Sequence, residues 1–149
     1  MMQKVITIRE GIDIAYDQLL ELYGSVGWLA YISEERRGEL QKAIENSTYV
    51  VSAWDGDRLV GLARGLSDDV SIFYLQDLLV HPVYQRQGIG RRLMVECLER
   101  YRHVRSKVFL TDDEPYQLRF YESMGYRNTK ELSSIRLNAF VQIDGVDLV

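Results

Sequence analysis

A chain of 149 residues is long enough for one domain with a substantial core, and 46% hydrophobic with 27% charged residues is ordinary for a soluble globular protein. The apolar runs are strand-sized and no basic-then-apolar leader opens the chain, so neither a membrane span nor an export signal is expected and a cytoplasmic protein is. A single cysteine, Cys97, excludes an internal disulfide framework, the separated His81 and His103 argue against any metal site, and a net charge of −4 argues against nucleic acid.

In chain order, residues 4–9 are β-branched and alternating, which predicts a first strand. Residues 13–23 carry Ile14, Leu19, Leu20, Leu22 and Tyr23 on a broad apolar side, a helix ending at Gly24. The following loop holds Trp28 and Tyr31 and is too apolar for a plain linker. A second helix is expected from Ser33, as N-cap, to about Asn46, with Glu34 and Glu35 in its positive first turn. Residues 48–54 and 59–66 read as strands joined at Asp55-Gly56-Asp57, a hairpin signal. Ser67-Asp68-Asp69 turns the chain into an apolar run from Ile72 to Val80, which stops at Pro82 because proline cannot donate to a ladder. The helix from Ile89 to about Arg100 aligns Ile89, Leu93, Met94, Cys97 and Leu98, so Cys97 is read as core packing. Residues 108–111 read as a buried strand and 116–124 as a short helix stopped by Gly125. Residues 126–128 and 133–141 read as closing strands, the last with Ile135, Leu137, Ala139 and Val141 alternating. This order argues a mixed α/β sheet with a right-handed crossover between the strands at 72–80 and 108–111.

One stretch carries chemistry. Strand, short loop, then a helix opening at Gly88-Ile89-Gly90 aims several backbone N–H groups at one anion, and glycine lets a ligand come close. Arg86, Arg91 and Arg92 flank the turn and can add charge-assisted contacts to phosphate. The spacing excludes a nucleotide-hydrolase loop, which needs Lys-Ser or Lys-Thr after the glycines, and a dinucleotide fingerprint, whose third glycine would fall on Leu93. What stands there is Gln85-Arg86-Gln87-Gly88-Ile89-Gly90, preceded by Val80-His81-Pro82-Val83-Tyr84. Here the chain resembles the GCN5-related N-acetyltransferase (GNAT) superfamily, whose signature is Gln/Arg-x-x-Gly-x-Gly/Ala after a Val-x-Pro-x-Tyr strand end. The element order resembles that fold too, including two helices between the first two strands. The resemblance implies an α/β (α+β) architecture over residues 1–149 as one domain. Its mixed, mostly antiparallel sheet would have six to seven strands, about four flanking helices and a splayed central strand pair. It also implies acetyl-CoA as co-substrate. Backbone N–H groups of Gln85, Arg86, Gln87, Gly88, Ile89 and Gly90 would hold the pyrophosphate, and the strand edge at Leu78, Leu79 and Val80 would pair with the pantetheine amides. Arg91 either reaches the phosphates or is simply solvated.

Acyl transfer to an amine sets further demands. An alkyl amine with a pKa of about 10.4 is neutral in only about one molecule in 10³ at pH 7, roughly 4–5 kcal/mol of barrier unless the site takes the proton. The developing oxyanion needs a donor and the leaving thiolate an acid. The segment Phe120-Tyr121-Glu122-Ser123-Met124-Gly125-Tyr126 resembles the family's Phe-Tyr-x-x-x-Gly-Phe, which assigns Tyr121 as that acid; where members often carry Asn, seven positions earlier, this chain has Glu114. For the base, strict alternation puts Tyr74, Gln76 and Leu78 on one face with Val80, and Asp77 on the other with Leu79. Tyr74 and Gln76 occupy the positions of common family bases and are poor bases, so they are read as lining the acceptor pocket. Asp77, the one carboxylate inside this apolar strand, is the candidate base, turned into the cleft by a β-bulge. The alternative is that Asp77 bonds a neighbouring backbone group or Arg64 and shapes the site; a water relay through Asp68 or Asp69 also stays open. Trp28 and Tyr31 are read either as a wall of the acceptor pocket or as loop packing. The favoured activity is direct acetyl transfer to a small primary amine. The alternatives are a non-catalytic acyl-CoA-binding sensor and a protein lysine or N-terminal acetyltransferase. An exposed final strand would permit pairing between two copies.

Overall fold

The computed structural model describes residues 5–149, so Lys4, which would open the first predicted strand, lies outside the described residues. The chain groups into two compact units, one up to Phe109 and one spanning Leu110–Val149.

In the first unit five strands form one sheet in chain order. β1 (Ile6–Glu10), β2 (Tyr49–Asp55), β3 (Arg58–Ser67) and β4 (Ile72–Val80) are antiparallel neighbours, and β5 (Ser106–Val108) runs parallel to β4. Helices α1 (Tyr16–Ser25) and α2 (Glu39–Glu45) connect β1 to β2, and α3 (Ile89–Arg100) makes the crossover from β4 to β5. One sheet face meets α1 and α2: Leu19, Leu22, Tyr23, Leu40 and Ile44 pack with Val50, Trp54, Leu59, Leu62 and Leu79. The other face meets α3. A Cβ on Gly61 would lie 3.1 Å from Leu93 and 3.2 Å from Ile89, and Phe73 stacks on Tyr101 at 4.4 Å. Both faces are apolar, so β2 and β3 read as continuous hydrophobic runs rather than alternating ones.

The sheet departs from strict alternation at one point that matters. Arg64 pairs with Asp77 and Gly65 with Leu75, so Gln76 has no partner on β3 and forms a β-bulge. Gly65 permits it, because a Cβ there would sit 2.4 Å from the Phe73 ring. The bulge moves the chain across the sheet plane. Leu75, opposite Gly65, and Phe73 lie on the α3 face, whereas Asp77, opposite Arg64, and Leu79, opposite Leu62, lie on the α1 face. Leu78 and Val80, opposite Ala63 and Gly61, share the α3 face. The expected grouping of Tyr74, Gln76, Leu78 and Val80 on one face is therefore corrected: Tyr74, opposite Leu66, stays on the side of Asp77.

Two helix boundaries also differ. Helix α1 runs through Gly24 rather than stopping at it, and Gly27 takes the positive φ instead. The expected helix from Ser33 is broken: Glu34–Arg36 make one 3-10 turn, Ser33 makes no side-chain cap bond, and α2 starts behind Gly38 in the left-handed region. The break falls at Arg37, whose ψ of 128° cannot continue a helix.

The second unit contains α4 (Pro115–Ser123), opened by Glu114, whose carboxylate accepts from the N–H groups of Tyr116 and Gln117 at 3.1 Å each. A 3-10 turn follows at Thr129–Glu131. Residues 126–128 and 133–141 form no strand, so the described sheet has five strands rather than six or seven, and β5 ends at Val108 rather than Thr111. Alternation at Ile135, Leu137 and Val141 is present, but a strand also needs a neighbouring edge to bond, and none pairs with it here. No helix among the described residues is long and apolar enough to cross a membrane.

Candidate active site

Strands β4 and β5 pair over only three positions, Ile72 with Ser106, Phe73 with Lys107 and Tyr74 with Val108. Among the described residues no strand pairs with that edge of β4 beyond Tyr74, so Leu78, Leu79 and Val80, paired with β3 on one side, lie past the end of the β4–β5 ladder. Backbone N–H and C=O groups on such an edge are a template for amide groups of an extended ligand. The chain then reaches α3 through a turn braced on every side. The His81 Nδ1 accepts from the Val83 N–H at 3.2 Å, Gln85 Nε2 donates to the Val80 carbonyl at 2.9 Å, and Tyr84 Oη donates to Asp55 Oδ2 at 2.5 Å.

Arg86 at φ 65° and Gly88 at φ 82° are both left-handed, which curls the Gln85–Gly88 backbone into a concave nest. The first helical bond of α3 runs from the Arg92 N–H to the Gly88 carbonyl, so the N–H groups of Ile89 and Gly90 have no acceptor within the helix, and Gly88 has no side chain to cap them. A Cβ on Gly88 would meet nothing within 4 Å among the described residues, so the space beside this glycine is open. An oxyanion of a diphosphate matches this donor set in charge and size. The Ile89 side chain is buried against Gly61, so only its backbone is available at the turn.

On the α1 face, the bulge brings Asp77 under α1. Its Oδ2 accepts from Arg64 Nε at 2.6 Å and from Tyr23 Oη at 2.8 Å, with Asp77 5%, Arg64 6% and Tyr23 0% exposed. Burial, then the charge of Asp77, raises the Tyr23 phenol well above its ordinary value, so it remains a donor. For Arg64, burial works against the charge, but Asp77 prevails and the guanidinium is held more firmly protonated. Trp28 and Tyr31 stand edge-on to Tyr23 at 5.9 and 6.1 Å, and Arg64 lies over the Tyr31 ring at 6.0 Å. Burial and the neighbouring charge of Asp77 also raise Tyr74. Asp77, Tyr74, Trp28 and Tyr31 are thus brought together, whereas Gln76 is exposed at the bulge. Tyr23 is the member that the sequence reading missed. Its signal was a buried phenol on an apolar helix face, which requires a hydrogen-bond partner.

Other expected residues are accounted for individually. Asp68 staples its own turn, accepting from the N–H groups of Val70, Ser71 and Ile72 and from the Ser71 hydroxyl, and these bonds hold it well below the usual carboxylate range. Asp69 Oδ1 bonds His103 Nε2 at 2.7 Å. Burial pushes the Cys97 thiol up to about 12, which removes it as a nucleophile. In the second unit Tyr121 is half-buried on α4, edge-on to Phe120 and Tyr126, and burial pushes its phenol up to about 12. Among the described residues no group of His, Cys, Asp and Glu could hold a metal ion.

The unpaired β4 edge leading into an open helix N-terminus is an arrangement that can be compared with known proteins. A family model described as the acetyltransferase (GNAT) domain matches residues 15–137. The chain belongs to the GNAT family. Among relatives of this GNAT chain, the N-acetyltransferase ycf52-like protein of Prochlorococcus marinus is 33% identical over 113 residues, covering 73% of this chain and 61% of that protein. The chain thus spans about three-fifths of the length of the curated relatives it matches. A solved GNAT-family acetyltransferase from Streptococcus pneumoniae is 32% identical and superimposes with a TM-score of 0.80 over 95% of this chain and all of that one. The aminoglycoside N-acetyltransferase AAC(6')-Iy, solved with CoA, shares the fold at 12% identity, with a TM-score of 0.69 over 96% of this chain and 97% of that one.

Proposed function

We propose that this GNAT chain is an acetyl-CoA-dependent N-acetyltransferase that moves an acetyl group directly to the primary amine of a small molecule. The observation that carries the reading is the unpaired β4 edge running straight into the uncapped start of α3, an amide-pairing edge joined to a diphosphate cradle. Gln85, Arg86, Gln87, Gly88, Ile89 and Gly90 would hold the pyrophosphate, with Arg91 beside them, and Leu78, Leu79 and Val80 would align the pantetheine arm. Acetyl-CoA supplies the acetyl group as a thioester. The amine nitrogen forms a bond to the acyl carbon as the carbon–sulfur bond breaks. An N–H of the freed β4 edge polarises the carbonyl oxygen, since a donor fixed there needs no reorganisation. Asp77 takes the amine's proton at Oδ1, directly or through a water, because Oδ2 already accepts two bonds. The family resemblance, not a placement beside the cradle, gives the Tyr121 hydroxyl the role of acid for the departing thiolate; with its phenol pushed up to about 12, it is protonated at any working pH.

A small acceptor is supported by the segment after α1, whose Trp28, Tyr31 and Ile32 fold back onto the core and set two rings beside Tyr23, the partner of Asp77. The whole chain acts as one acetyltransferase domain in this reading. Thiol release from acetyl-CoA, measured across a panel of primary amines and lysine peptides, tests it. Turnover is expected with at least one small amine. Firm uptake of CoA by calorimetry with no turnover on any acceptor would identify a sensor, turnover on peptides alone a protein acetyltransferase, and no uptake at all would end the proposal.

A further inference from the structure

We propose that Tyr23 and Arg64 are positioning residues for Asp77, locking its carboxylate at the bulge so that Oδ1 is the atom presented to the acceptor. This rests on the reading of Asp77 as proton acceptor and assigns to two further residues the geometry that role requires. Three elements converge on one oxygen: Tyr23 from α1, Arg64 from β3 and Asp77 from β4, with the two bonds to Oδ2 at 2.8 and 2.6 Å. Two donors on one oxygen fix the carboxylate plane and leave the other oxygen with a defined direction.

Packing alone does not call for this trio. A buried ion pair gives little net stability over apolar residues of the same volume. A buried tyrosine hydroxyl can also be satisfied by any backbone carbonyl. The bulge strengthens the case. Without Gln76 as the extra residue, Asp77 would fall on the face of Leu75, against α3, where Leu93, Met94 and Cys97 offer no charged partner. The ladder gives up one pairing, and Gly65 gives up a side chain, to turn one carboxylate toward Trp28, Tyr31 and Tyr74. The groups facing Asp77 are Tyr23, Arg64, Tyr74 and Tyr31, and Arg64 Nη1 is held from behind by Ser47 Oγ at 3.4 Å.

Tyr23→Phe removes one donor and almost no volume. Freedom of the carboxylate should lower kcat about 10-fold, less than the roughly 10²–10⁴-fold that loss of a general base itself costs, while KM for acetyl-CoA stays within about 2-fold. Arg64→Lys keeps the charge and loses the planar fork, and should retain more activity than Arg64→Ala. Circular dichroism and thermal melts confirm that each variant is folded. If Asp77→Asn is severely impaired but Tyr23→Phe keeps its kcat, the positioning role is overturned and the proton-acceptor reading stands. If Asp77→Asn turns over like the parent chain, both fall together.

Discussion

Asp77 and Glu114 show how one side-chain type takes opposite duties from its surroundings. Asp77 is buried in a strand and meets a guanidinium and a phenol, so its charge is held in a dry, directed setting. Glu114 is exposed at the head of α4 and serves two orphan N–H groups of that helix. The resemblance marked position 114 as a departure from the family pattern, and the fold gives the departure a local reason. Cys97 carries a prediction at this scale. Burial pushes its thiol from 9.0 up to about 12, so the folded chain holds the proton more tightly than the unfolded chain does. That contribution is complete below pH 9 and is lost as pH climbs from 9 toward 12, at up to about 1.4 kcal/mol per pH unit for one proton. Urea unfolding between pH 9 and 10 should therefore show a shallower fall in stability for Cys97→Ala than for the parent chain. Equal slopes would mean that the thiol is not desolvated.

At the scale of the element, β4 and α3 appear with the bounds that the sequence indicates, Ile72–Val80 and Ile89–Arg100. Both are bounded by local chemistry: Pro82 ends ladder bonding just past the strand, and Gly88 supplies the left-handed residue that starts the helix. The helix expected from Ser33 breaks at Arg37, and the signal for it was present in Gly38 and in the lack of any apolar residue before Leu40. The bulge was legible only as an option, because Gly65 reads as an ordinary strand glycine until the Phe73 ring is seen beneath it. Gly65→Ala should cost about 1–3 kcal/mol in urea unfolding, the usual penalty for overpacking, since the new Cβ meets the Phe73 ring at 2.4 Å and the Tyr74 carbonyl at 2.8 Å. Adding Phe73→Leu should restore part of that loss. A Gly65→Ala chain as stable as the parent would show that β3 can slide and that the bulge is not pinned there.

For the whole molecule, a net charge of −4 coexists with a basic run around α3 that includes Arg86, Arg91, Arg92, Arg100, Arg102, Arg105 and Lys107. Attraction of a polyanion to such a run is screened by salt, so CoA affinity measured by calorimetry should fall several-fold between about 0.05 and 0.5 M NaCl, as the Debye length shrinks from about 14 to 4 Å. An affinity independent of salt would move the phosphates away from this run. The amino-acid sequence by itself determined the order of elements in the first unit and the glycine turn that opens α3, because each depends on residues adjacent in the chain. It did not determine the number of strands: residues 133–141 carry a strand's alternation, yet pairing needs an edge that no local pattern supplies. Nor did it decide the face of Asp77 or its meeting with Tyr23, 54 positions away. Those followed from one unpaired residue in a ladder, and ladder register is settled only when distant strands pack together.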